Sequence, residues 1–167
     1  MASAPNPYLY VLDESLSIPR VVDRLAGMPA RLRDTVAGID AAALVRAPAD
    51  DEWTAFQTLC HLRDATLTYA ARFRWIVFDD DPLMPDYDEN NWVAASKDTP
   101  EDVRDILDQV AASRADLVRV LSRLEPAQWQ RTGRHAVADS IVLEHYARHQ
   151  VAHEEMHLGQ IAAAAGA

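Results

Sequence analysis

The chain has 167 residues, 49% of them hydrophobic and only five glycine, which suits one packed domain over residues 1–167 and excludes a disordered or fibrous chain. A formal net charge of −10 at pH 7 repels phosphate backbones and anionic lipid faces, so nucleic acid and membrane are excluded as expected partners and small molecules or proteins fit better. The single cysteine, Cys60, allows no internal disulfide; with neither a basic leader nor a run of about 20 apolar residues, the expectation is a cytoplasmic protein without targeting or membrane segments.

Residues 1–15, with Pro5 and Pro7 among Tyr8, Leu9 and Tyr10, read as a coil arm. From about Ser17 to Ile39 the residues Val21, Leu25, Met28, Leu32, Val36 and Ile39 recur at steps of three and four, the signature of one apolar helix face. Thr54 offers a cap for a second helix, striped by Leu59, Leu62, Thr66, Tyr69, Phe73 and Ile76 and running to about Phe78. Two prolines, a run of acids and Asn90-Asn91 make Asp79 to Asp98 a long connection of turns and coil.

Thr99-Pro100-Glu101-Asp102 reads as the start of a third helix, with a cap, a first-turn proline and acids at the positive end. Val103, Ile106, Val110, Leu117, Val120 and Leu124 continue it. After coil from Glu125 to Val137, a fourth helix is expected from about Asp139 to Ala165. No β-strand pattern, internal repeat or second domain is visible.

Four amphipathic helices bury their stripes most simply as an all-α four-helix bundle. A helix of about 27 residues is about 40 Å long, a distance that a coil of about 20 residues can cross. The connection between helices two and three can therefore traverse the bundle. Helices two and three then run parallel, helix four runs antiparallel to helix two, and the order is up-down-down-up.

Four of the six histidines, His145, His149, His153 and His157, stand four apart along helix four. Residues at that spacing sit on neighbouring turns of one face, so one such pair can chelate an ion. With helices two and four antiparallel, His61, near the start of one, falls level with His157, near the end of the other. His61, His153 and His157 then form a three-imidazole set with room for water or substrate, the arrangement of a catalytic rather than a closed site. His135, His145 and His149 read as hydrogen-bonded core histidines. Imidazoles suit zinc, nickel, iron and copper alike.

The chain also carries Trp53 ahead of His61-Leu62-Arg63-Asp64, then Arg72-Phe73, Asp81-Pro82, Tyr87-Asp88-Glu89-Asn90 with Trp92, and His153-Glu154-Glu155-Met156-His157-Leu158-Gly159-Gln160-Ile161. This set, from about Trp53 to Ile161, resembles the DinB-like superfamily of metalloenzymes and its YfiT-like branch, associated with thiol-dependent transfer and metal-dependent hydrolysis. The resemblance implies an up-down-down-up bundle, a divalent metal on His61, His153 and His157, and frequent homodimers. Its members include bacillithiol transferases and a mycothiol-dependent isomerase, so a small-molecule substrate, including a low-molecular-weight thiol, is implied. Met156 stands where the branch often has a further histidine, and Glu154 and Glu155 where residues are often small or basic.

The expected function is that of an enzyme using one divalent transition metal, zinc or nickel first and iron or manganese next. Its reaction is expected to be thiol S-transfer or hydrolysis. The alternative is a non-enzymatic metal-binding or stress-related scaffold. His153-Glu154-Glu155-Met156-His157 also fits the HExxH pattern of metallopeptidases, but none of the ten residues after His157 is a further His, Asp or Glu ligand. Glu154 is a candidate general base against a reading as a solvated surface glutamate. Asp64, one turn beyond His61, is the candidate partner for a ligand imidazole, against a charge paired with arginine. Cys60 points about 100° away from His61 and reads as a small core residue. The Tyr87 to Trp92 segment either folds over the metal or staples the crossover to the bundle.

Overall fold

The computed structural model describes residues 13–50, 52–164 and 166. The expected coil arm lies almost wholly outside these residues. Four long helices form the frame, α1 (Ile18–Ala37), α3 (Ala55–Phe78), α5 (Val103–Leu121) and α6 (Leu143–Ala164), with short helices α2 (Ala41–Leu44) and α4 (Glu89–Ala95) between them. The predicted stripe of α1 is buried at Val21, Leu25, Met28, Leu32 and Val36. The first turn of α3 is fixed by a reciprocal cap: Thr54 Oγ1 accepts from the Gln57 N–H at 3.1 Å, and Gln57 Oε1 accepts from the Thr54 N–H at 2.9 Å. Thr99 and Asp102 make a second capping box around the 3₁₀ turn Pro100–Asp102 that leads into α5.

Helix directions follow from what packs at each level. One apolar cluster joins Val21 and Leu25 of α1 to Tyr69 and Phe73 of α3, Leu117 and Leu121 of α5, and Tyr146 and Val151 of α6. The other joins Met28 and Leu32 to Leu59 and Leu62, Ile106 and Val110, and Leu158 and Ile161. The chain thus runs from the first cluster to the second in α1 and α6, and from the second to the first in α3 and α5. The expected up-down-down-up bundle is present, with α1 and α3 each packed on both α5 and α6. At the level between the clusters the buried residues are polar: Thr66, Arg114, Gln150 and Glu154.

The reading of a chain without strands is corrected. Strands β1 (Leu83–Met84), β2 (Thr132–His135) and β3 (Asp139–Val142) form a small sheet, β1 parallel to β2 and β2 antiparallel to β3. Residues 139–142 are therefore strand, and the last helix starts at Leu143. Asp139 takes φ 56° at the turn between β2 and β3, a backbone conformation that a helix start does not have. The Asp79 to Asp98 connection likewise holds β1 and α4 rather than turns and coil alone, and the Glu125 to Val137 coil holds a 3₁₀ turn at Pro126–Gln130 as well as β2. The sheet lies tight on the end of α3: a Cβ on Gly133 would stand 2.9 Å from Ile76 Cγ1 and 3.2 Å from Met84 Cε. This packing carries the crossover beside the bundle and brings Asp86, Tyr87 and His135 to one cavity wall. Among the described residues no helix is long and apolar enough to cross a membrane.

Candidate metal centre

His61 leaves the second turn of α3 and meets His153 and His157 of the antiparallel α6. His153 Nε2 lies 3.2 Å from His61 Nε2 and 3.1 Å from His157 Nε2. The rings stand edge to face or tilted, with centroids 4.4 to 5.2 Å apart. Burial, and then the neighbouring His157, pushes His61 down to about 4. Burial holds His153 well below the usual imidazole range, with His157, His61 and His149 adding to the effect. His157 is lowered by burial against the opposing pull of its bond to Gln160. All three are therefore neutral at pH 7, each ring keeping one nitrogen lone pair.

The donor set fits a divalent transition metal. Nitrogens about 2.0–2.1 Å from one ion, at angles of about 90–110°, are separated by about 2.9–3.4 Å, which brackets the two distances to His153, while the third edge, His61 to His157, closes within 4.8 Å. His157 Nδ1 contacts Gln160 Oε1 at 2.5 Å, and an amide oxygen there requires the proton on Nδ1, leaving Nε2 as the acceptor. The Nδ1 atoms of His61 and His153 have no partner among the described residues.

Two expectations for neighbouring carboxylates are corrected. Asp64 accepts from Arg63 Nε at 3.0 Å and does not reach His61, because it lies on the side of α3 where Arg63 also ties Asp98 at 2.6 Å. Glu154 is neither a surface charge nor a wall of the cavity: it is 4% exposed and paired with Arg114 of α5, which is 1% exposed, and it accepts from Gln150 Nε2 at 2.9 Å. Its position about 100° round the helix from His153 points it at α5 while the imidazole points at α3. Cys60 is buried in the second apolar cluster as expected, and burial pushes its thiol up to about 12.

Beside the trio opens a cavity of about 400 Å³. Trp53 and Met156 flank it near the histidines, Trp53 with its ring centroid 4.9 Å from that of His61, while Asp86, Tyr87 and Glu89 form the crossover side. Arg72, 2% exposed, donates to the Pro85 carbonyl at 2.6 Å and to Tyr146 Oη at 3.1 Å, and lies 5.9 Å from the Tyr87 ring. Tyr87 in turn packs on Trp92 at 4.6 Å, so this segment both walls the cavity and fastens the crossover. Of the three histidines read as core residues, His135 and His149 are buried yet line the cavity, while His145 sits beside Glu144 away from it. His135 Nδ1 accepts from the Val137 N–H at 3.3 Å, which puts its proton on Nε2, 3.9 Å from Asp86 Oδ1. Sequence reading missed Gln160, Arg114 and His135 as parts of this region. Gln160 stands three residues after His157, a helical spacing that could have flagged it.

A model of the family described as the DinB superfamily matches residues 24–161. The chain belongs to the DinB superfamily. The chain is also similar to three proteins that bear the name "Putative metal-dependent hydrolase". The one from Oceanobacillus iheyensis is 23% identical over 139 residues, covering 79% of this chain and 80% of its own. Those from Geobacillus kaustophilus and Geobacillus thermodenitrificans are 28% and 32% identical over 79 and 65 residues, covering 47% and 39% of this chain. The chain spans only 44% and 36% of the lengths of those last two. Among solved structures, YfiT from Bacillus subtilis, described as a "probable metal-dependent hydrolase with an unusual four-helix bundle topology", superposes with a TM-score of 0.82 at 24% identity. The match covers 88% of this DinB-superfamily chain and 85% of YfiT, and establishes the shared fold.

Proposed function

We propose that this protein is an enzyme in which His61, His153 and His157 hold one divalent transition metal, zinc or nickel first and iron or manganese next, and that it hydrolyses a small molecule in the adjoining cavity. The observation that carries the proposal is the convergence of three neutral Nε2 atoms, 3.1 to 3.2 Å along its two short edges, on the wall of a cavity of about 400 Å³. A divalent metal bound there supplies Lewis acidity and brings the pKa of a water or thiol toward neutrality. Trp53, Tyr69 and Tyr87 offer apolar faces to a substrate, and the buried His135 and Arg72 add polar groups to the lining. The names of the similar proteins support hydrolysis.

Transfer to a low-molecular-weight thiol is the second reading. In its favour, the cavity falls within the range of about 300–1,000 Å³ typical of sites for drug-sized ligands, and so has room for a thiol beside its acceptor. A scaffold role needs no cavity next to the histidines. We further propose a homodimer in a reducing cytoplasm, for which the single buried thiol is suited; sedimentation reads the first point.

The test begins with elemental analysis of protein purified without a histidine tag, beside the His153→Ala/His157→Ala variant. About one equivalent of metal in the wild type and almost none in the variant is expected. Equal, negligible metal in both after reconstitution overturns the proposal. Exogenous imidazole or thiol should then shift the spectrum of the cobalt-substituted protein, since a filled coordination shell does not respond. Small amides, esters and thiol adducts are screened with and without chelator. Turnover that survives complete metal removal overturns the metal-dependent reading.

A further inference from the structure

The segment of α6 that carries His153 and His157 is the part of that helix with least apolar packing. The first apolar cluster uses α6 up to Val151 and the second resumes at Leu158. Between them stand Ala152, His153, Glu155 and Met156, all half-buried or exposed, with only Glu154 and His157 buried. Dispersion and area burial therefore do little there to fix how the helix is turned about its axis. Rotation matters: a side-chain tip about 5–6 Å from the axis moves about 2 Å for a 20° turn, close to a full metal–nitrogen bond length.

Two sides of the segment are nevertheless tied. Glu154 is locked to Arg114 of α5, which also reaches Thr66 Oγ1 of α3 at 3.5 Å, and Gln150 Nε2 holds the same carboxylate at 2.9 Å. Arg114, Thr66 and Gln150 are each 1% exposed, and Arg114 lies in the matching gap of α5, between Val110 and Leu117 of the two clusters. On the outer side, Glu155 takes a forked contact from Arg31 and another from Arg24 at 3.2 Å, both on α1. The outer pairs are exposed and contribute little. A buried pair is different in kind: removing one partner strands a charge, while replacing both by apolar groups is often neutral or stabilising. A pair of this kind contributes more to fixing one geometry than to net stability.

We infer that the Arg114–Glu154 pair is a positioning device for the metal centre, fixing the rotation of α6 so that His153 and His157 face His61. The inference rests on the three histidines being ligands. Glu154 acts through the helix and touches neither the ion nor the substrate.

The test uses the full chain with Co²⁺ and Zn²⁺ as probes. Arg114→Met/Glu154→Leu fills the layer with apolar volume. Its melting temperature in chelator should stay within a few degrees of wild type or exceed it, while Co²⁺ affinity, measured by competition, falls at least tenfold and the d–d absorption changes. A purely structural pair predicts the reverse: a lower melting temperature with unchanged affinity and spectrum. Should the double variant fail to fold, Glu154→Gln decides, because it keeps the volume and loses the charge. The rise in melting temperature on adding Co²⁺ should then shrink relative to wild type. Affinity within twofold of wild type in the folded double variant, or an undiminished rise in Glu154→Gln, overturns the inference and leaves the metal centre standing. A wild type that binds neither ion overturns both.

Discussion

Gln160 orients His157 through a single contact at Nδ1, and partners of this kind are worth about 10–100-fold in metal affinity elsewhere. Gln160→Leu should therefore weaken Co²⁺ binding by at least about tenfold while leaving the helical circular-dichroism signal unchanged; an unaltered dissociation constant would falsify this role. Cys60 stands next to His61 in the chain yet behaves as core. With its thiol pushed up to about 12, only about one molecule in 10⁴ is thiolate at pH 8. The native protein should resist iodoacetamide for hours and react only after denaturation, as mass spectrometry can follow. At this scale the three histidines were legible, because an antiparallel register and a four-residue spacing are facts about helices. The roles of Asp64 and Glu154 were not. Whether a carboxylate one turn from a ligand turns toward it depends on which arginine waits on the neighbouring helix, and Arg63 and Arg114 carry no local mark of that choice.

Among the elements, helix positions followed the sequence closely where caps and periodicity agreed, as at Thr54 and along Val21 to Val36. The sheet escaped notice because its strands are two to four residues long, too short for alternation to show, and Ile141-Val142 merge with the apolar pattern of α6. Its importance is packing. At Gly133 even a methyl group collides with Ile76, which is fully buried and cannot yield. Gly133→Ala should cost about 1–3 kcal/mol, seen as a fall of several degrees in melting temperature. A variant as stable as wild type would mean that the sheet shifts freely over α3.

On the scale of the whole molecule, five buried or half-buried imidazoles, His61, His135, His149, His153 and His157, are all lowered, two of them to about 4. The unfolded chain takes up their protons near pH 6.5 and the folded chain only at lower pH, near 4 for His61 and His149, so acid favours unfolding as the pH falls below about 6.5. Metal-free protein should lose stability steadily as pH falls from about 6.5 toward 4, and added metal should steepen the loss because protons then also displace the ion. Melting temperatures at pH 7 and pH 5, with and without chelator, check both statements. A flat profile in chelator would show that these imidazoles already carry protons in the folded state.

The crossover between α3 and α5 is forced by topology, since two parallel helices adjacent in sequence need a strap running back along the bundle. In this molecule the strap also supplies Asp86, Tyr87 and Glu89 to the cavity, while every candidate ligand comes from the helices it skirts. On the proposed reading, part of the substrate wall thus lies on a stretch of chain that carries no ligand. Transplanting residues 85–92 from a relative should import that relative's substrate preference and leave metal affinity with the host. On the proposed reading, the strap can be rewritten without touching the three histidines.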